Sequence, residues 1–396
     1  MLPIAASMLH DAASSMCFCV IAATIASIAL TISITLKEDL EFQTKPNLTN
    51  KTPIKTIYTE FEDIIDCIDI YKQPAFNHPL LKNHKLQIKP NFENVIEKTF
   101  VNNSQIGSIF GFGKEECPKG TVPIQRTKYD ISDEKLLNDH ILLKDIPGVH
   151  IAEISMIQTY APFYKVSGIS SLYNPKVEKD EISMAHIWAE NGPVESSNRI
   201  TTGWHVAPNI YGDARTHFYT SWTSDNFKKT GCYNTACRGF VQIDRKNFAG
   251  GYFPQVSTYG GPIYEAYLAI AQDPKTKNWW IRAGNVNIGY YPAALFSNLG
   301  SASIVGWGGR TKAKVGGLSP PMGSGHVPDG NKAHASYFRS PKINRAPGEP
   351  DYTPANTRTG GFSDNTNCYG VYYYYKSDVS EEGVIQFGGP GGKCGV

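Results

Sequence analysis

Charge is scarce in this chain. Only 19% of its 396 residues are Asp, Glu, Lys or Arg, and the formal net charge is +2. No basic run with interleaved stacking aromatics occurs, so no nucleic-acid partner is expected. Helical patterning is nearly absent as well. Leu136, Leu137, Ile141, Leu142 and Leu143, in the stretch 131–145, form the one good helix candidate. No repeat of fixed period is visible. The glycine-rich patch Gly107–Gly113 lacks the G-K-[ST] ending of a phosphate-binding loop. Cys232 and Cys237 have no matching second pair, and His205, His217 and His326 show no ligand spacing, so neither metal nor cofactor is expected. Ser324 stands in Gly-Ser-Gly-His rather than in the G-x-S-x-G elbow of a serine hydrolase.

Aromatics, glycine and proline are plentiful: 22 Tyr, 18 Phe, 36 Gly and 25 Pro. That mixture suits many short strands joined by turns. Alternating strands are expected at His217–Thr223, Gly239–Ile243, Ile263–Ala271, Trp279–Ile281 and Val371–Tyr375, with turns at 208–213, 250–251, 260–262 and 273–274. The expected fold is mainly β: an antiparallel sandwich of two large sheets over residues 148–396. A small α+β prodomain over 61–147 precedes it, with a predicted strand at Ile64–Ile70 and an extended, proline-interrupted segment at 73–81. Residues 37–60 read as a flexible linker.

Residues 1–36 contain the uncharged apolar run MCFCVIAATIASIALTISITL at 16–36, which fits a signal-peptide core or a membrane anchor. Residues 1–15 hold no Lys or Arg, so Met16 is an alternative start. Either reading sends the rest of the chain to the secretory lumen or outside, and a membrane enters only if this run is uncleaved. Sequons at Asn47, Asn50 and Asn102 agree with glycosylation on that route. Six of the eight cysteines lie beyond the run, an even set that can pair fully in an oxidising compartment.

Two regions resemble the plant neprosin family, secreted glutamic peptidases that cut on the carboxyl side of proline. Ile65-Asp66-Cys67 with QPAFNHPLLKNHKLQIKP, and the stretch Cys117–Lys128, are similar to its activation peptide. GWHVAPNIYGD, YTSWTSD, TGCYNTACRGFVQ, KNWWIRAGN, WGG at Trp307, MGSGH and NCYGV are similar to its mature domain. The resemblance implies a zymogen: an inhibitory prodomain followed by a sandwich with a substrate cleft across one sheet. It also implies disulfides Cys232–Cys237 and Cys368–Cys394; Cys67 and Cys117 are left over to bridge the prodomain.

The implied chemistry needs two carboxyl groups that share a proton. The family's first glutamate stands two residues before Gly-Trp, where this chain has Thr201. The second ends a W-G-G-E stretch or precedes its Trp, where this chain has Arg310 and Gly306. A threonine hydroxyl is no general base, and an arginine opposes a shared proton. Glu190 and Glu195 are the nearest replacement acids, while Asp213, Asp225 and Glu265 read as turn or sheet-surface residues. Trp204, Tyr219 and Trp222 are the cleft candidates, aromatic faces suited to proline, although tryptophans in such a sandwich are more often core. The expectation is a catalytically impaired homologue that binds peptide, proline-rich protein or glycan, alongside its own prodomain. The alternative is an endopeptidase active in acid through a displaced carboxylate.

Overall fold

Short alternating runs broken by Gly and Pro fold here into stacked antiparallel sheets. The computed structural model describes residues 52–92, 110, 115–126, 141–142, 146–236, 238–347, 349–375 and 383–395. The apolar run 16–36, Asn47, Asn50, Asn102, Cys237 and most of the 131–145 helix candidate lie outside the described residues.

The N-terminal part supplies β1 (Lys55–Tyr58), β2 (Ile64–Asp69) and β3 (Thr121–Gln125), paired in that order. Then come β4 (Val149–Met156), β5 (Lys165–Ser171), β6 (Ile182–Asn191), β7 (Asn198–Val206), β8 (Thr216–Thr223) and β9 (Cys232–Tyr233). They are followed by β10 (Val241–Gln242), β11 (Glu265–Gln272), β12 (Trp279–Ala283), β13 (Val286–Tyr291) and β14 (Ile304–Lys312). The last are β15 (Ser336–Asn344), β16 (Thr359–Ser363), β17 (Gly370–Tyr374) and β18 (Val384–Gly388). One large sheet runs β16-β4-β14-β6-β7-β8-β9 and the other β10-β13-β12-β11-β5-β15-β18-β17. This is the predicted antiparallel sandwich.

The core lies between these sheets. Ile154, Ile187, Trp204, Phe218 and Trp307 of the first meet Val166, Leu268, Ile270, Ile281, Phe338 and Phe387 of the second. Two indoles pin the layers together through β5: Trp204 Nε1 donates to Ser171 O at 2.9 Å and Ser170 Oγ at 3.1 Å, and Trp307 Nε1 to Ser167 O at 2.9 Å. Trp204→Phe removes both of the first bonds and part of a buried ring, so urea denaturation should show a loss of about 2–3 kcal/mol.

The N-terminal part is packed onto the sandwich. Residues 55–58, read above as linker, form β1, because Ile57 alternates inward to join Ile65 and the Cys67–Cys117 disulfide against Phe248. The segment expected to be extended instead makes two 3-10 turns, Pro74–Asn77 and Pro79–Leu81. Each opens on a proline, whose missing N–H costs nothing at a helix start. Gln73 bonds reciprocally with the Gln242 main chain, His84 with Tyr290, and Asn91 with Asp273. Arg215 ion-pairs with Asp63 at 2.9 Å and lies over the rings of Phe61 and Tyr252. Phe110 enters the main core, stacked on Phe218 at 4.5 Å.

Candidate functional site

Side chains alternate across a strand, so each large sheet has one face for the core and one facing away. On β7, Ile200 and Trp204 join the core, and Thr201 and His205 fall on the opposite face. Trp204, expected in the cleft beside Thr201, is thus a core residue: a separation of three reverses the face. The same parity puts Trp222 in the core, three residues from Tyr219. Tyr219 does lie on the outer face, stacked on His205 at 4.3 Å.

Two rows of residues cross this outer face. In one, Glu153, Gly308, His186, Gly203 and Tyr219 stand in register across β4, β14, β6, β7 and β8. In the other, Gly306, Trp188, Thr201 and Ser221 do the same across β14, β6, β7 and β8. Strands two apart are about 10 Å from each other. Glu153 and His186 nevertheless meet, because Gly308 between them has no side chain; a Cβ there would stand 3.0 Å from Glu153 Cγ.

Arg310 is next along β14 and completes a buried triad. Its Nε donates to Glu153 Oε1 at 2.5 Å and its Nη2 to Oε2 at 3.2 Å, a two-point grip on the carboxylate. Nη1 donates to the main-chain carbonyls of Leu142 at 2.9 Å and Ile141 at 3.3 Å. His186 Nε2 lies 2.9 Å from Glu153 Oε1. Burial alone would raise the Glu153 pKa, but the charge of Arg310 and the His186 bond hold it far below the usual carboxylate range. Burial pushes His186 down to about 4 against the pull of Glu153. Near neutral pH the imidazole is therefore uncharged and donates its Nε2–H to the carboxylate, leaving Nδ1 as a bare acceptor.

The register corrects the expected pairing of Thr201 with Arg310. The β14 residue in line with Thr201 is Gly306, and Arg310 lies four residues further along. At about 3.3 Å per residue and 4.8 Å per strand, the Cα atoms of Thr201 and Arg310 are roughly 16 Å apart. The indole of Trp188 covers Gly306: a Cβ there would meet Trp188 Cη2 at 2.4 Å. On the other side, the buried Arg199 guanidinium lies over the Trp188 ring, 5.0 Å from its centroid.

Of the replacement acids, Glu190 is the penultimate residue of β6 on this face, accepting from Ser197 Oγ at 2.8 Å and facing Arg199 Nη1 at 3.7 Å. Glu195 is exposed in the 3-10 turn Val194–Ser196, outside the row, so it is not a cleft residue. Asp213 is held by Arg215 and His217, Asp225 caps the main chain of 228–230, and Glu265 pairs with Arg339. No group of His, Cys, Asp and Glu among the described residues has metal-binding geometry. The structure also joins Cys368 to Cys394.

The motifs of residues 201–242 and 277–326 set into this frame decide the family. Residues 179–390 match the Neprosin model and residues 56–144 match the Neprosin activation peptide. The chain belongs to the neprosin family. Ile141 and Leu142, whose carbonyls Arg310 holds, lie within the activation-peptide match. β4, which carries Glu153, lies between the two matches. Among solved structures, the chain is similar to scytalido-glutamic peptidase with a transition state analog inhibitor. Identity is 8% over 61% of this chain and 98% of that one, with a TM-score of 0.33. It is also similar to SCP-B, a member of the eqolisin peptidases, in complex with the tripeptide Ala-Ile-His. There identity is 9% over 60% and 97%, with a TM-score of 0.30.

Sequence reasoning missed Glu153, His186, Trp188 and Arg199. For Glu153 one signal was available: a lone acid inside the apolar run HIAEISM of β4, which on a buried face demands a cation.

Proposed function

We propose that this chain is a secreted, disulfide-bonded neprosin-family protein without peptidase chemistry, which binds peptide in the cleft. The observation that carries the proposal is the lack, among the described residues, of two cleft carboxyls placed to share a proton. Glu153 is clamped as an anion by Arg310, and Thr201 faces a glycine under an indole. Glu190 is offset from Glu153 by two strands and four residues, which puts their Cα atoms roughly 16 Å apart. Peptide is favoured over glycan because Arg310 already donates to two main-chain carbonyls of the activation segment. Passage through an oxidising compartment fits the Cys67–Cys117 and Cys368–Cys394 bonds.

The test is incubation with proline-containing peptides at about pH 4, where a proton-sharing carboxyl pair works. We expect no cleavage by mass spectrometry. Cleavage after proline that vanishes in Glu190→Gln would establish the rival reading, an acid endopeptidase with a displaced carboxylate.

A further inference from the structure

Four buried side chains of the cleft floor carry polar atoms with no hydrogen-bond partner among the described residues: Arg199 Nε and Nη2, Thr201 Oγ1, Tyr219 OH and His186 Nδ1. Arg199, Thr201, Tyr219 and His186 are each at most 5% exposed. Leaving such groups unpaired is costly, and native proteins leave few of them. Here the hydroxyls and the guanidinium edge lie on one face of two adjacent strands. Thr201 and Arg199 are alternate residues on one face of β7, about 7 Å apart, and Tyr219 is a diagonal neighbour of Thr201 on β8.

The structure contains its own template for what such a guanidinium edge holds. Arg310 presents Nε and Nη2 side by side, and both oxygens of Glu153 occupy them. Arg199 presents the same two atoms without a hydrogen-bond partner among the described residues, and its Nη1 makes a long contact to Glu190 at 3.7 Å. A planar carboxylate is the group whose two oxygens match that edge. Thr201 and Tyr219 add neutral donors that a carboxylate also accepts from.

We propose that the Arg199 edge, with the hydroxyls of Thr201 and Tyr219, is a binding site for a peptide carboxylate. It rests on the peptide-binding reading above and sharpens it. Where a glutamic peptidase presents two acids to a neutral peptide bond, this cleft presents an arginine and two hydroxyls to an anion. The carboxylate comes from a peptide C-terminus or from an Asp or Glu side chain. Because these side chains are buried, the ligand enters only where the packing above them opens, and Ile141 and Leu142 cluster with Tyr219 there.

The test is calorimetric titration of the full chain, intact and after limited proteolysis with both fragments retained. The probes are one proline-containing peptide as the free acid, the same peptide as its C-terminal amide, and the amide with a single Glu. Thr201→Val and Tyr219→Phe keep shape and remove one donor each. We expect a carboxylate-bearing peptide to bind at least tenfold more tightly than the neutral amide, the two acidic probes telling terminal from side-chain carboxylate. Each variant should lose about tenfold in affinity. Its thermal midpoint should hold or rise, since a buried unpaired donor has been removed. Equal binding of neutral and acidic probes, or unchanged affinity in both variants, overturns the carboxylate site and leaves the peptide reading standing. No binding of any probe to intact or nicked chain overturns both.

Discussion

Replacing Arg310 with Met should lower the stability of the full chain by about 3–5 kcal/mol in chemical denaturation. The side chain is wholly buried, and its removal strands the Glu153 carboxylate with only a neutral imidazole for company. It also leaves the carbonyls of Ile141 and Leu142 without that donor. A double variant, Arg310→Met with Glu153→Met, should recover most of the loss, because deleting both partners of a buried ion pair is far milder than deleting one. A single-variant loss below about 1 kcal/mol would show that the pair is not desolvated in solution. Arg310→Glu, which copies the family's W-G-G-E, should fare worse still. It sets a second buried carboxylate against Glu153, so restoring the motif destabilises the fold instead of restoring catalysis.

Acid should weaken the fold through His186. Its pKa falls from an ordinary 6.5 to about 4 on folding, so the unfolded chain binds the proton more readily. Stability from this group is complete above about pH 6.5 and declines as pH falls, reaching a deficit of about 3 kcal/mol near pH 4. Glu153 and Asp213, both held below the usual carboxylate range, lose their contributions further into acid. His78 and His84 are also lowered by burial, so the decisive comparison is with His186→Gln, whose denaturation midpoints should fall less between neutral pH and pH 4. Parallel curves for the two proteins would remove His186 as the cause. The Glu153–His186–Arg310 triad is thus expected to be least stable in acid.

Strands whose two faces differ were legible in the sequence. In β8 the alternation of Phe218, Thr220 and Trp222 marked the core face, and β11, β12 and β17 were recognised from similar runs. β6, β7 and β14 were not: they are covered on both faces, as β8 is, but their residue types do not alternate. Every residue of β7 is buried, including Asn198, Arg199, Thr201 and Thr202, so hydropathy does not alternate along it. The family motifs placed Thr201 and Arg310 in one cleft, but not the distance between them. That distance depends on register, and register depends on which of Gly306, Gly308 and Arg310 faces which strand. The misplacement of Trp204 was avoidable, since a separation of three from Thr201 already puts it on the other face of any strand. Glu153 stayed hidden because its partners, His186 and Arg310, lie 33 and 157 residues away.

Phe110 bears on what maturation of this chain would mean. Its ring lies in the core, stacked on Phe218 and edge-on to Phe253, and Leu81 of the same N-terminal part is buried in that cluster too. Excising the activation segment therefore does more than uncover a groove. It takes a phenylalanine out of the interior, a loss of about 3–5 kcal/mol unless the sheets settle into the gap. The sandwich is filled partly by residues that precede it in the chain, so separating the two parts would be a repacking event.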